Sequence, residues 1–457
     1  MAETLYKRFV DAVAVVEYYS YEQRESKEIA LAFLVLRYAC IKVDVVEFGS
    51  KFGFNIAASS LVSQREEDFF SDFMSLVRAV DSIFFIQDNG VSEVFEAFVE
   101  KNRRAKEVIA SIKKVYEVLF FETVDGKYLA GIFESVLLEL YNSKGGGGPE
   151  FYTPRNLVDF AVELVNPENN EKIYDPVCGT GGFLVRANDY LHQRNSNVCA
   201  EFIGRDKSLF SVKISFWNLY IHGVDSFSVY TGDSLSWAQY DSRKYDVVLA
   251  NPPFSVKDWN WNLFASSGMD FYGAPPRANA DYAFLLHIIF SLSDIGRAAV
   301  IVPSGVLFRG GAEKEIRRNI VNDGLIEMVV SLPAGLIKGT SVSLCMIFFN
   351  KRVRSESVFF AKAPEKLSKD QFVSPAFELS NILDICRERR AVKGCSESVS
   401  IADIAKKEFD LSVSRYVVSG VAEIRGVAEV AEEYIKLEAE LRSLQDELKY
   451  YLDRVLD

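Results

Sequence analysis

Asp175-Pro176-Val177-Cys178-Gly179-Thr180-Gly181-Gly182-Phe183-Leu184 follows a short apolar run, Lys172-Ile173-Tyr174, and opens a segment with helical spacing. Glycines just past a strand let the backbone pass close to a ligand, and the carboxyl edge of an open α/β sheet is where ligands sit. Outward from this turn the same alternation recurs. Further candidate strands are Glu201–Gly204, Ser228–Tyr230, Asp246–Ala250, Ala298–Val302, Glu327–Val330 and Leu344–Phe349, with helical stretches at Ser208–Tyr220, Asp281–Leu292 and Ala312–Asn322. Apolar runs interleaved with helices predict a seven-stranded, mostly parallel, Rossmann-like α/β sheet covered on both faces.

Upstream the pattern changes. No proline precedes Pro149, and stretches such as Ile29–Leu36 and Val108–Phe120 read as helices with broad apolar faces, which predicts an all-helical domain over residues 1–144. Gly145-Gly146-Gly147-Gly148-Pro149 marks the boundary, because no helix or strand tolerates that run in its interior. The α/β domain with its extension then spans 145–426; within it, residues 352–426 carry mixed charges and short polar turns and predict no clear elements. From 427 to 457, Val427, Val430, Tyr434, Leu437, Leu441, Leu444, Leu448 and Tyr451 step by three and four, a seam suited to a coiled-coil-like helix that pairs with a partner chain, or else to a helix packed on its own protein.

The chain has 457 residues, 49% hydrophobic, with 52 Lys plus Arg against 64 Asp plus Glu, a net charge of −12. Proteins that bind nucleic acid unaided carry an excess of cations, so any nucleic-acid contact here is local or shared with a basic partner. No run approaches the ~18 apolar residues of a membrane span, and the first twenty residues lack a signal-peptide core. The six cysteines fall in no metal-ligand spacing. These features predict a soluble cytoplasmic protein with no metal and no membrane partner.

The 175–184 turn is not a dinucleotide fingerprint. GxGxxG would need glycine at 184, where Leu184 stands, and no GxxxxGK[ST] occurs either. A bulkier ligand without a pyrophosphate, such as S-adenosyl-L-methionine, suits the GxGG turn better. Asp206, at the end of the second strand, is placed to accept from both ribose hydroxyls, or else to cap the following helix. Asp233 puts another carboxylate at the same edge, within reach of a cofactor adenine amine. The fourth strand ends in Asn251-Pro252-Pro253-Phe254. Two prolines fix an extended turn without N–H donors, leaving the Asn251 side-chain oxygen and the Pro252 carbonyl as outward acceptors. An exocyclic amine donating to both would be held with its lone pair free, and Phe254 offers a face on which an extruded base can stack. Cys178 reads as a small turn residue, and His192, His222 and His287 as helix-face or capping residues.

Together, Asn251–Phe254 and Asp175–Leu184 resemble the motifs of adenine-N6 DNA methyltransferases, and most closely those of the modification subunits of type I restriction–modification systems. Ala280–Phe284, Gly296–Pro303, Leu307–Gly311 and Ser331–Pro333 match further segments of that family in order. The resemblance covers roughly 145–350. It departs at Asp206, where glutamate is usual, and at Ile337, where an aromatic is common. It implies transfer of the S-adenosyl-L-methionine methyl group to a flipped adenine. Asn251, Pro252, Pro253 and Phe254 would be catalytic. The cofactor would contact Phe151, Tyr152, Thr153 and Pro154, then Asp175, Cys178, Gly179, Thr180, Gly181 and Gly182, and finally Asp206, Asp233 and Asn251. The partners it implies are double-stranded DNA, a specificity subunit with two modification subunits bound to it, and a restriction subunit. A methyltransferase of RNA adenine or protein glutamine, and an idle cofactor-binding scaffold, remain open as alternatives.

Overall fold

The computed structural model describes residues 2–20, 23–42, 65–84, 90–101, 105–120, 124–142, 153–195, 197–237, 244–333, 342–363 and 375–418. The Gly145–Pro149 boundary, Phe151, Tyr152, Ile337 and the 427–457 seam lie outside them.

The N-terminal region consists of helices α1 (Ala2–Tyr19), α2 (Gln23–Lys42), α3 (Glu66–Phe84), α4 (Ser92–Lys101), α5 (Ala105–Phe120) and α6 (Gly126–Asn142). Every residue from Ala30 to Leu36 is fully buried, so α2 is the axis around which the others pack. A helix apolar on all sides has no solvent face to offer. Phe95 meets Phe33 and Phe73 edge to face at its centre, its ring centroid 4.8 Å from that of Phe33 and 5.0 Å from that of Phe73.

Among the described residues the second region is built on a sheet of nine strands: β1 (Lys172–Asp175), β2 (Glu201–Asp206), β3 (Phe227–Thr231), β4 (Tyr245–Ala250), β5 (Leu292–Pro303), β6 (Ile326–Ser331), β7 (Leu344–Asn350), β8 (Ser357–Lys362) and β9 (Ser396–Ser400), ordered β3-β2-β1-β4-β5-β7-β6-β8-β9. Strands β1 to β5 run parallel. The expectation of seven strands is corrected in number, while five of the eight pairings are parallel as expected. Strand β7 runs antiparallel to both its neighbours, β5 and β6, and β9 antiparallel to β8, so the sheet is mixed. The two additional strands come from 352–426. Val358, Phe359, Phe360 and Ala361 of β8 are buried, whereas β9 is the polar edge Ser-Glu-Ser-Val-Ser, which carries no hydrophobic signal.

Alternate residues of β4 feed two cores. Val247 and Leu249 join the cluster beneath α7 (Arg155–Val165) and α8 (Gly182–His192), while Val248 and Ala250 join the one beneath α12 (Asp281–Ser291) and α13 (Ala312–Asn322); the short helices α10 (Ser234–Trp237) and α11 (Trp261–Ala265) precede α12 in the chain. Between β1 and β4 the strand order reverses, so the loops leaving their carboxyl ends diverge and open a crevice.

Helix α9 (Leu209–Ile221), between β2 and β3, joins the two regions. Its Ile214, Trp217 and Ile221 belong to the core of the N-terminal helices. Tyr220 meets Tyr38 edge to face at 5.3 Å, the Arg24 guanidinium lies 3.7 Å over the Phe210 ring, and Arg155 pairs with Glu134 at 2.8 Å.

Candidate active site

The turn after β1 is wired to its surroundings through its own backbone. Gly179 and Gly181 take φ of 52° and 80°, values that side chains rarely adopt. A Cβ on Gly181 would also stand 2.6 Å from Ser215 Oγ of α9, so glycine is required there twice over. The Cys178 N–H donates to the Arg205 carbonyl at 2.8 Å, and Asn218 of α9 donates its Nδ2 to the Thr180 carbonyl at 2.8 Å. Cys178 itself is buried, its sulfur beside Gly204, and burial pushes the thiol far above its ordinary pKa. That environment makes it a packing group rather than a nucleophile.

Asp206 is 9% exposed and ends β2. Its two oxygens accept from the Gly179 N–H at 3.0 Å and the Ser208 N–H at 2.8 Å, and the Ser211 side chain donates to the carboxylate as well. Ser208 in turn caps α9 through its own hydroxyl, so Asp206 braces the turn rather than serving as the cap. Burial raises the Asp206 carboxyl, against the lowering effect of those N–H groups. Asp175 lies deeper, and burial, with Asp206 nearby, raises it well above the usual range. Asp233 heads α10, accepting from the Leu235 N–H at 3.0 Å.

Asn251 leaves the end of β4 with its amide divided between two environments. Nδ2 donates to Thr153 Oγ1 at 3.1 Å, while Oδ1 is buried and accepts no hydrogen bond from the described residues. An unpartnered buried acceptor is costly unless a ligand satisfies it. Pro252 is buried behind it.

These elements enclose a cavity of about 340 Å³, within the range that holds a small-molecule ligand. The ends of four parallel strands contribute: Pro176 and Val177 after β1, Asp206, Lys207 and Ser208 after β2, Gly232–Leu235 after β3, and Asn251 and Pro253 after β4. Of the residues singled out from sequence, Asp206, Asp233, Asn251 and Pro253 therefore line one cavity. Gly179–Gly182 and Asp175 shape the turn behind it, and Thr153 reaches the site through Asn251. Phe254 does not line the cavity; it packs, half-buried, against the apolar cluster on the α7–α8 side of the sheet. The remaining wall, Val256, Asp258, Trp259 and Phe284, was not singled out as a site. The signal available was position: three of these four follow the Asn251–Phe254 turn directly and so had to leave the same strand end.

The residues fit S-adenosyl-L-methionine by their donor set and shape: a glycine turn where a side chain cannot stand, carboxylates at the ends of β2 and β3, and Asn251 in the same lining. Comparison with known proteins agrees with this chemistry. Residues 125–423 match the model of the family described as N-6 DNA Methylase. The chain is 30% identical over 314 residues, 65% of its own length and 70% of the relative's, to the type I restriction enzyme HindI methylase subunit of Haemophilus influenzae. To the type I restriction enzyme MjaVII methylase subunit of Methanocaldococcus jannaschii it is 26% identical, over 84% of this chain and 70% of that one. The crystal structure of the type I restriction-modification system methyltransferase subunit from Streptococcus thermophilus superposes with a TM-score of 0.71 at 21% identity, covering 91% of this chain and 99% of the other, and so shares the fold. With the match extending over both the glycine turn and the Asn-Pro-Pro-Phe turn, the chain belongs to the N-6 DNA methylase family.

Proposed function

We propose that the chain transfers a methyl group from S-adenosyl-L-methionine to the N6 amine of adenine in double-stranded DNA, as the modification subunit of a type I restriction–modification complex. The observation that carries this reading is Asn251: it lines the same cavity as Asp206 and Asp233, its Nδ2 is fixed by Thr153, and its buried Oδ1 has no partner among the described residues.

When bound, the cofactor supplies an already activated sulfonium methyl, so the chain's task is mainly alignment. Asn251 Oδ1 and the Pro252 carbonyl accept from the two amine hydrogens of an adenine extruded from the duplex, and Phe254 gives the base a surface to stack on. Asp206 would hold the ribose hydroxyls and Asp233 the cofactor's adenine edge, with Thr153, Pro154 and the 175–182 turn around its methionine end. In the same reading Phe151 and Tyr152 flank the cofactor. Residues 1–144 form the helical domain, 145–426 the transferase with its extension, and 427–457 the helix that binds a specificity subunit, two modification subunits to each. The net charge of −12 supports borrowed sequence reading. The names of its relatives, each a methylase subunit of a type I restriction enzyme, support the assembly and the restriction subunit. No described helix is long and apolar enough to cross a membrane, which accords with a cytoplasmic site of action.

Radiolabelled S-adenosyl-L-methionine, unmethylated DNA and the cognate specificity subunit test the proposal directly. Label on adenine N6 only with that subunit present is the expected result. Label on RNA or protein, or none on DNA with the subunit present, overturns it.

The raised Asp206 pKa gives a pH signature. The ionised carboxylate is the form that accepts from ribose hydroxyls. Affinity for S-adenosylhomocysteine should therefore fall on acidification, beginning above the ordinary aspartate value of about 3.9. Asp206→Asn should bind more weakly at neutral pH and lose that acidic limb. A calorimetric titration in which wild type and variant give parallel pH profiles would take Asp206 out of the role.

A further inference from the structure

Ser255, the residue after Phe254, holds a φ of 54°. A non-glycine side chain is strained there and stays only where its surroundings insist. The insistence comes from the far end of the following excursion. Asp281, the first residue of α12, is 3% exposed, and its Oδ1 accepts the Ser255 N–H at 2.7 Å. A second bond beside it, from the Ala280 N–H to the Val256 carbonyl at 3.0 Å, closes the same junction.

The other Asp281 oxygen is occupied as well. Oδ2 accepts from Arg309 Nη2 at 2.5 Å, and Arg309 Nε donates to Glu313 Oε2 at 2.7 Å. Glu313 is buried on α13, and the Arg309 carbonyl is held by Arg317 Nη1 at 3.0 Å. A carboxylate with one oxygen on a strained backbone and the other in a charge-assisted network is rigidly aimed. Nothing in the transfer chemistry uses Asp281, and it does not line the cavity.

We infer that Asp281 is a positioning residue for the transfer reaction. By clamping the Ser255 N–H it fixes the exit of the Asn251–Phe254 turn, and with it the direction in which the Pro252 carbonyl and Asn251 side chain meet the amine. The inference rests on the methyltransferase reading of that turn. The role is distinct from folding because the bond it makes opposes a local backbone preference; remove the preference, and the clamp is no longer needed. Glycine at 255 removes it, since glycine takes positive φ without strain.

The test compares wild type, Asp281→Asn, Asp281→Ala and each combined with Ser255→Gly, assayed with S-adenosyl-L-methionine, DNA and the specificity subunit. Asp281→Ala is expected to lower kcat roughly tenfold to a hundredfold, as small misplacements of reacting groups do, with KM for cofactor and the S-adenosylhomocysteine Kd unchanged. Asp281→Asn, which keeps an acceptor for Ser255, should fall between, and Ser255→Gly should restore much of the loss in both. An unaltered kcat, or a loss that follows Tm and is not restored by Ser255→Gly, overturns the positioning role. Should Asp281→Ala fail to fold, the Asp281→Asn pair decides by the same criterion. Wild-type protein that methylates no adenine overturns the reading of the turn itself, and the positioning role with it; wild-type activity with silent variants overturns the positioning role alone.

Discussion

Asn251→Ala is expected to lose roughly 10²–10³ or more in kcat, the cost of deleting one preorganised polar partner at a reacting group, while S-adenosylhomocysteine binds nearly as before. The separation follows from the geometry. Asn251 contributes one edge of the cavity, whereas the turn after β1 and the carboxylates of Asp206 and Asp233 shape the rest of it independently. Its Oδ1 has no partner among the described residues, so truncation removes the contact that matters only when an amine is present. Thr153 sharpens the test. Because Thr153 Oγ1 accepts from Asn251 Nδ2, it sets which way the amide faces. Thr153→Val should free the amide to rotate and lower kcat, and Thr153→Ser should retain the bond and most of the rate. Equal loss of cofactor binding and transfer in Asn251→Ala would mean that Asn251 holds the cofactor rather than the amine.

The division between what the sequence made legible and what it did not follows from the range of the interactions. Strands β1, β2, β4 and β5 were readable because each buries a short apolar run on both faces, a property of the run alone. Strand direction is not such a property. Leu344–Asn350 looks the same in either orientation, and only its insertion between β5 and β6 makes it antiparallel. Strand β9 was invisible for a different reason: an edge needs no apolar alternation, and Ser396–Ser400 has almost none. At the site, carboxylates at strand ends and the proline-stiffened turn are local signals and were found. The bonds that aim them span 98 residues from Thr153 to Asn251 and 26 from Ser255 to Asp281, and no spacing rule reaches across a strand and a helix. Phe254 shows the converse. Its neighbours in sequence mark it as a site residue, yet which side of the sheet its ring packs against depended on the core beneath α7 and α8.

Trp217→Ala is the second large effect, and it probes how the helical region serves the site. Trp217 is fully buried in the core of the N-terminal helices although it belongs to α9 of the sheet region. Its truncation should cost about 3–5 kcal/mol, a large part of a domain stability of about 5–15 kcal/mol. The neighbouring residue, Asn218, holds the Thr180 carbonyl, and Ser215, two positions back, is the group against which Gly181 closes. One face of α9 is thus anchored among the N-terminal helices while the other sets the glycine turn. A shift of the helix into the space left by the indole would move both contacts at once, because a packed helix moves as a unit rather than residue by residue. Trp217→Ala should therefore lower Tm and weaken S-adenosylhomocysteine binding together, with Trp217→Phe milder in both. A variant that melts earlier but binds the cofactor analogue with wild-type affinity would show that the helical region only stabilises α9. The paired loss would show that it also sets the cofactor turn, so that anything moving the N-terminal helices is felt where the methyl donor binds.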